Sequence, residues 1–368
     1  MKPSSSQPWI ASPFVDGFFI LAPAFLTTGL VILFPQTFGA ASDIPLWTWF
    51  ILIVCVDVAH VYSTLFRTYF DPEEFGARRG LYTLVPLIGW MIGVMLYSRG
   101  HLIFWRVLAY LAVFHFIRQQ YGFMMIYSRK EMDQPKWGRL LDQAAIYAAT
   151  LYPIAWWHTH LPRNFSWFVA GDFFSLKSST LDPILFTFYL ATLLAYALKE
   201  TRAWRANGRV NAPKNLLLVG TAISWYVGIV GFNGDLAFTM TNVVAHGIPY
   251  MALVWVYSRK RVTAPVGAAS LFTALLRPRM LGMAVFVATV FVLAYVEEGF
   301  WDGLVWRDHE AAFGWFAHLP KLADKATLAW VVPLLALPQI THYVLDGFIW
   351  RMHGGHAEWK SFTLRTEA

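Results

Sequence analysis

The sequence predicts an all-α protein, a bundle of about ten transmembrane helices. Of its 368 residues, 57% are hydrophobic and only 14% are charged, whereas soluble domains carry about 25% charged residues. The apolar residues also fall into runs near the roughly 20 residues that a helix needs to span a bilayer. Basic residues gather at the ends of these runs, where they anchor and orient spanning helices. We therefore expect an integral, multi-pass membrane protein whose first partner is the lipid bilayer.

Ten apolar segments are candidate spans. They cover residues 15–35, 46–70, 81–97, 102–127, 140–160, 181–199, 214–232, 234–257, 280–297 and 326–350. The first begins too far from the start of the chain for a signal peptide, so we expect it to remain as a helix. Residues 1–14 form a short leader and residues 351–368 a tail. We predict one integral membrane domain over residues 1–368.

The loop charges predict an orientation. Alternate connections are rich in Lys and Arg, for example between residues 199 and 214 and between 259 and 279, while the opposite connections are poor in them. The positive-inside rule then places both termini in the cytoplasm, and we expect the bacterial cytoplasmic membrane. The basic residues form no stripe or tail of the kind that binds nucleic acid. The single cysteine, Cys55, forms neither a disulfide nor a thiolate metal site.

Four of the predicted spans each carry one central histidine. These are His60, His115, His246 and His342. Polar side chains follow or precede each histidine by three or four residues, which on a helix places them on the same face. These companions are Asp57, Gln119, Asn242, Tyr250, Gln339 and Asp346. A carboxylate or amide one turn from an imidazole fixes which ring nitrogen is free to act.

The predicted topology places the four histidines at one level in the membrane. All four spans run in the same direction, and each histidine falls past the middle of its span. Ionisable groups inside a membrane are costly and usually face a partner or a wet cavity. Several neutral imidazoles with nearby carboxylates suit iron, copper or zinc. We therefore predict a metal site whose ligands are the four histidines.

The remaining polar residues are assigned roles around that site. Candidate catalytic residues are Asp57, Asp346, Tyr121 and Tyr250: the two carboxylates as ligands or ring-orienting acceptors, the two tyrosines as hydrogen-bond or redox neighbours. Candidate cofactor-binding residues are Gln119, Asn242, Gln339 and Arg118. Asp142 and Gln143 open the fifth predicted span, where they either join the site or favour the helix start.

The arrangement of His60, His115, His246 and His342 resembles that of the integral-membrane histidine-cluster iron enzymes, which include lipid desaturases, hydroxylases and carotenoid-cleaving oxygenases. The H-x-x-x-H and H-x-x-H-H boxes of the desaturases are absent here, and one histidine per helix is closer in style to the bacterial carotene-cleaving oxygenases. The resemblance implies iron held by these histidines towards the cytoplasmic side, and a long apolar substrate.

We accordingly expect a metal-dependent, non-haem iron oxidoreductase that uses dioxygen to oxidise a lipid, hydrocarbon or isoprenoid. The sequence has no dinucleotide fingerprint, phosphate loop or C-x-x-C pair, so a desaturase or hydroxylase would need a separate electron donor. A carbon-cleaving dioxygenase would not. Haem or another transition metal is an alternative cofactor. A proton-coupled transporter using intramembrane His and Asp, or structural polar clasps between helices, are alternative functions.

Overall fold

The structure, a computed structural model, describes residues 7–39, 44–131, 134–263 and 275–350. Every regular element in these residues is helical and none is a strand, which confirms the all-α prediction. The longer helices are α1 (Pro13–Leu33), α2 (Leu46–Arg67), α3 (Arg79–Arg99), α4 (His101–Tyr127), α5 (Lys136–Thr159), α6 (Leu181–Asn207), α7 (Ala212–Gly231), α8 (Val244–Thr263), α9 (Arg279–Trp306), α10 (Lys325–Leu335) and α11 (Leu337–Ile349).

Among the described residues, seven helices are long and apolar enough to cross a membrane, and they are α1 to α4, α6, α7 and α9. The pair α10 and α11 makes an eighth if it is counted as one span. The predicted segments 140–160 and 234–257 fall on α5 and on the region of α8. The count of ten and the location of the termini stay predictions, and the tail at 351–368 lies outside the described residues.

A bend of 43° separates α10 from α11. Pro333 lies inside α10, and Pro338 occupies the first turn of α11. Proline lacks the N–H that would continue the hydrogen-bond ladder, and its ring clashes with the preceding turn. Two prolines five residues apart therefore break this span, and His342 lies on the second half.

Two of the histidine-bearing helices are preceded by π-helical turns. In α2 the segment Phe50–Val58 is π-helical and ends two residues before His60. The segment Thr239–Val243 leads directly into α8 and ends three residues before His246. A π turn inserts an extra residue into a helix and is common at functional sites. Each insertion changes which side chains share a face with the histidine that follows.

By internal contacts the chain divides into two compact units, and the divisions fall within α4 and α8. The first comprises Met1–Asp43 and Phe116–Pro249, in which α5 packs against α6 and α7, and α7 against α1. The second comprises Ile44–His115 and Tyr250–Ala368, in which α2 packs against α9 and α3 against α10 and α11.

Close packing in the second unit fixes the helices that carry functional side chains. Val54 and Val58 of α2 form one buried core with Val290 and Ala294 of α9. Helices in a membrane associate through van der Waals contact and small residues, because lipid is as apolar as their side chains. On α3, a Cβ atom added at Gly93 would lie 2.7 Å from the Pro333 side chain. The absent side chain therefore lets α3 lie directly against α10.

Candidate metal centre

The four histidines that the sequence singles out form one buried group. His60 on α2, His115 on α4, His246 on α8 and His342 on α11 are each at most 2% exposed. Each offers one ring nitrogen, and these four nitrogens lie within 4.8 Å of one another. Among the described residues this is the one group of three or more potential metal-ligating side chains so closely spaced. The group could therefore hold a metal ion.

Three of these histidines, all in the second unit, show the geometry most directly. His342 Nε2 lies 3.0 Å from His115 Nε2, and their rings meet edge to face with centroids 4.4 Å apart. The His60 ring lies 5.0 Å from the His342 ring. Nitrogens held at right angles about 2.1 Å from a common ion are about 3 Å apart. The separation of the two Nε2 atoms fits adjacent ligands of one ion.

The other nitrogen of His342 is held by a hydroxyl. Its Nδ1 lies 2.6 Å from Thr64 Oγ1, and Thr64 Oγ1 lies 2.9 Å from the Tyr250 hydroxyl. The Tyr250 hydroxyl in turn donates to Asp346 Oδ1 at 2.6 Å. A hydrogen bond to Nδ1 fixes the tautomer and leaves Nε2 as the ligand atom. A chain of three side chains from α2, α8 and α11 thus orients His342.

The carboxylates are paired with histidines. Asp346 Oδ2 lies 3.4 Å from His115 Nδ1, on a different helix, and the Asp346 side chain is 10% exposed. Its distance to His342 Nδ1, one turn away on its own helix, is longer at 3.9 Å. Asp57 Oδ1 lies 3.6 Å from His60 Nδ1. A carboxylate beside the non-ligating nitrogen raises the basicity of a histidine ligand, and both carboxylates lie within ion-pair distance of a histidine Nδ1.

His246 has its own surroundings in the first unit. Phe116 stacks on its ring, with centroids 3.5 Å apart and planes 6° from parallel. Gln119 Nε2 donates to the His246 carbonyl at 3.1 Å, so this predicted side chain fixes the α8 backbone. Asn242 is 2% exposed and donates to the Phe238 carbonyl and to Thr241 Oγ1. These contacts hold the helix around His246.

The remaining predicted residues are Arg118, Tyr121 and Gln339. Arg118 is exposed, donates to the Tyr147 hydroxyl at 2.6 Å and lies 4.5 Å from the centre of the Tyr121 ring. Tyr121 stacks on Tyr147 with ring centroids 5.3 Å apart. Gln339 is half-buried, three residues before His342. Arg118 and Tyr121 thus both contact Tyr147.

Asp142 contributes to an ion-pair network. Its two oxygens contact Lys199 and Lys214 in the first unit. Of the two roles considered for this residue, joining the histidine site or favouring the helix start, the structure shows neither, since two buried ammonium groups lie against it. Both partners are distant in the sequence, on α6 and α7, so no local pattern indicates them.

Thr64 and Tyr343 contact the histidines but are not among the predicted site residues. Thr64 follows His60 by four residues on α2, and this spacing is the signal that could have included it. The Tyr343 ring lies 5.0 Å from the His115 ring. Because Tyr343 directly follows His342, helical periodicity does not place the two on one face, and its contact with a second helix gives no signal in the sequence.

Beyond the histidines, Arg67 closes the end of α2 with an ion pair. It lies 3.1 Å from Glu74, 4.2 Å from the centre of the Tyr257 ring, and donates to the Ile349 carbonyl. Burial opposes ionisation of Glu74 most strongly, but Arg67, Arg78 and a hydrogen bond from Tyr82 together outweigh it and lower the pKa of Glu74 below its ordinary value. Arg67 is therefore paired with Glu74.

No family model, no curated protein and no solved structure matches this chain. Its chemistry follows from the donor set described above: four buried imidazoles, two carboxylates behind them, and a chain of hydroxyls.

Proposed function

We propose that the protein is a membrane-embedded, metal-dependent oxidoreductase that binds non-haem iron through His60, His115, His246 and His342. The observation that carries the proposal is the approach of four buried ring nitrogens to within 4.8 Å of one another. In an apolar region each ring nitrogen without a proton needs a partner, and one cation would serve all four. Nitrogen ligands backed by carboxylates suit iron, copper or zinc better than magnesium or calcium. Among these, iron follows from the resemblance to histidine-cluster enzymes.

Non-haem coordination is favoured over haem by the short contact between rings. Two histidines that sandwich a haem lie on opposite faces of the macrocycle, whereas His342 Nε2 and His115 Nε2 are 3.0 Å apart. That distance leaves no room for a porphyrin between them. A soft thiolate contribution is also disfavoured, because the one cysteine, Cys55, is not part of the group of closely spaced ligand atoms in the described residues.

The proposed substrate is a lipid, hydrocarbon or isoprenoid, because a site within membrane helices is reached most readily from the bilayer. Bound iron would supply activation of dioxygen. Hydroxylation of a C–H bond consumes one dioxygen, two electrons and two protons, and yields one hydroxyl group and one water. A separate one-electron donor supplies the electrons in that case. Thr64, Tyr250 and Asp346 hold the rings of His342 and His115 in place, and surrounding apolar side chains exclude bulk water.

Elemental analysis and an absorption spectrum of detergent-purified protein test the proposal. We expect one or two irons per chain and no Soret band, and we expect His115→Ala and His342→Ala to lose the metal. His101→Ala is the matched control, because His101 lies on the same helix as His115 but is exposed. A folded wild type that contains no metal after expression in iron-rich medium would overturn the proposal and favour a transporter or a structural role.

A further inference from the structure

Three acidic residues lie in the final turns of α9. Glu297 and Asp302 are 5% and 3% exposed, and Glu298 is half-buried. We call Glu297, Glu298 and Asp302 the carboxylate row. Acidic side chains within membrane spans are rare and costly, and they mark ion pathways and proton relays. The row belongs to the second unit, and its residues are not among the candidate metal ligands.

Glu297 has an incomplete set of partners. Trp301 donates to its Oε1 at 3.3 Å, and the Tyr62 hydroxyl lies beside the same carboxylate. Within the described residues its Oε2 is buried and has no hydrogen-bond partner. An orphaned oxygen in an apolar setting has room to bind a proton. Glu297 is therefore an acceptor that the local structure leaves open.

The charged and titratable groups around Glu297 come from three helices. They are Asp57 and Tyr62 on α2, Glu298 on α9, and Tyr343 on α11. All of these are acids, and in the part of the chain that the structure describes no cation is among them. Adjacent negative charges in a medium of low dielectric repel strongly. Carboxyl groups so arranged take up and release protons one after another rather than stay ionised together.

The row reaches from the loop after α9 into the membrane. Asp302 accepts hydrogen bonds from the backbone N–H groups of Asp308 and His309, while its Oδ2 is buried without a hydrogen-bond partner in the described residues. Counting about 1.5 Å per residue from Trp306, Asp302 lies about 6 Å and Glu297 about 13 Å along the helix. At the inner end of the row, Glu297 is near enough to Asp57 for their charges to interact, and Asp57 is 3.6 Å from His60.

We propose that the carboxylate row carries protons between the Trp306 end of α9 and the histidine centre. The inference rests on the proposed function in one respect, because reduction of dioxygen at the centre consumes protons that must reach a buried site. A second metal site is a poorer fit, since in the described residues only the four histidines bring ligand atoms within 4.8 Å of one another. The carboxylates are spread along a path instead of meeting at a point.

The first test needs neither metal nor substrate. Infrared difference spectra of the protein in lipid, taken between acidic and alkaline buffer, report carboxyl groups that gain or lose a proton. We expect a carboxyl band that is missing in Glu297→Gln and kept in Glu310→Gln, whose parent side chain is 52% exposed in the loop. A spectrum that is identical in wild type and Glu297→Gln would overturn the proposal, because the row would not change its protonation.

The second test measures proton uptake. Reduced, iron-loaded protein in vesicles is mixed with dioxygen, and a pH dye follows the protons consumed. We expect Glu297→Gln to slow uptake at least tenfold with unchanged iron content, and Glu297→Asp to stay close to wild type. Uptake at the wild-type rate in Glu297→Gln, or loss of iron from it, contradicts the relay. If the wild type contains no iron, the proposed function is wrong. The infrared test alone then shows whether the carboxylate row changes its protonation.

Discussion

Two buried polar clusters of this protein are built on opposite principles. In the first unit, Lys214 lies 2.8 Å from both Glu131 and Glu200, and Lys199 pairs with Asp142 and Glu200. Two cations and three carboxylates thus satisfy one another. The histidine centre instead brings four neutral donors together with carboxylates behind them. The first cluster supplies its own counter-charges, whereas the second could be completed by a cation from outside.

The largest effect is expected from breaking the ion-pair network. Lys214→Ala removes an ammonium group that is 1% exposed; Glu131 loses this partner, and Asp142 and Glu200 keep only their pairs with Lys199. Removal of one partner of a buried ion pair costs about 3–5 kcal/mol. Thermal unfolding in detergent should show this loss with or without metal. Lys177→Ala, at an exposed loop position, should unfold like the wild type, and a stable Lys214→Ala would remove the contrast between the clusters.

Added metal should stabilise the protein against unfolding through the histidine centre, and the ion-pair network should play no part in this effect. A ligand present at 100 times its dissociation constant stabilises the folded state by about 2.7 kcal/mol. Iron added to the apo protein should therefore raise the unfolding temperature of the wild type and of His101→Ala. His342→Ala should show no such rise. An equal rise in all three proteins would place the stabilising metal elsewhere.

A smaller effect is expected at the hydroxyl that orients His342. Thr64→Val keeps the shape of the side chain but removes the partner of His342 Nδ1. Loss of a group that positions a metal ligand typically lowers affinity 10- to 100-fold. Metal titration of the two proteins measures this change. Thr64→Ser, which retains the hydroxyl, should bind nearly as tightly as the wild type; equal weakening in Ser and Val variants would mean that packing, not the hydrogen bond, matters.

The smallest effect concerns the ion pair at the end of α2. The pKa of Glu74 is lowered in the folded state from an ordinary value of 4.5. A depressed carboxyl pKa stabilises the fold above the unfolded value, and this contribution is lost as pH falls through the folded value. The wild type should therefore lose stability below about pH 4.5 more steeply than Glu74→Gln. Parallel unfolding curves in acid would show that Arg67 does not depend on this charge.

The four histidines themselves could be identified from the sequence. A lone imidazole inside an apolar run is unusual enough to be noticed, and spans running in one direction gave a common level for His60, His115, His246 and His342. The structure confirms that these four form a buried group, one that could hold a metal ion. Their identity as iron ligands and the roles of the surrounding residues stay predictions, as do the ten spans, their orientation and the substrate.

Partners across helices were not predictable. Helical spacing pairs Asp346 with His342, yet the carboxylate lies closer to His115 on α4, and Thr64 holds His342 instead. Spacing within one helix says which side chains share a face, but the neighbour of that face depends on packing angles. The bend between α10 and α11 and the π turn in α2 alter those angles. Both are local departures from a regular, straight α-helix, and a hydropathy profile does not reveal them.

The π turn at Phe50–Val58 also constrains the number of residues that this stretch of α2 can contain. Each residue rotates an α-helix by about 100°. The extra residue of the π turn contributes such a rotation, and the present orientation of the two halves of α2 depends on it. A single deletion there could relax the turn to ordinary helix without losing a hydrogen bond. It would then swing Val54 away from α9, or His60 away from His342. Homologues are therefore expected to vary in side chains along this stretch far more readily than in its number of residues.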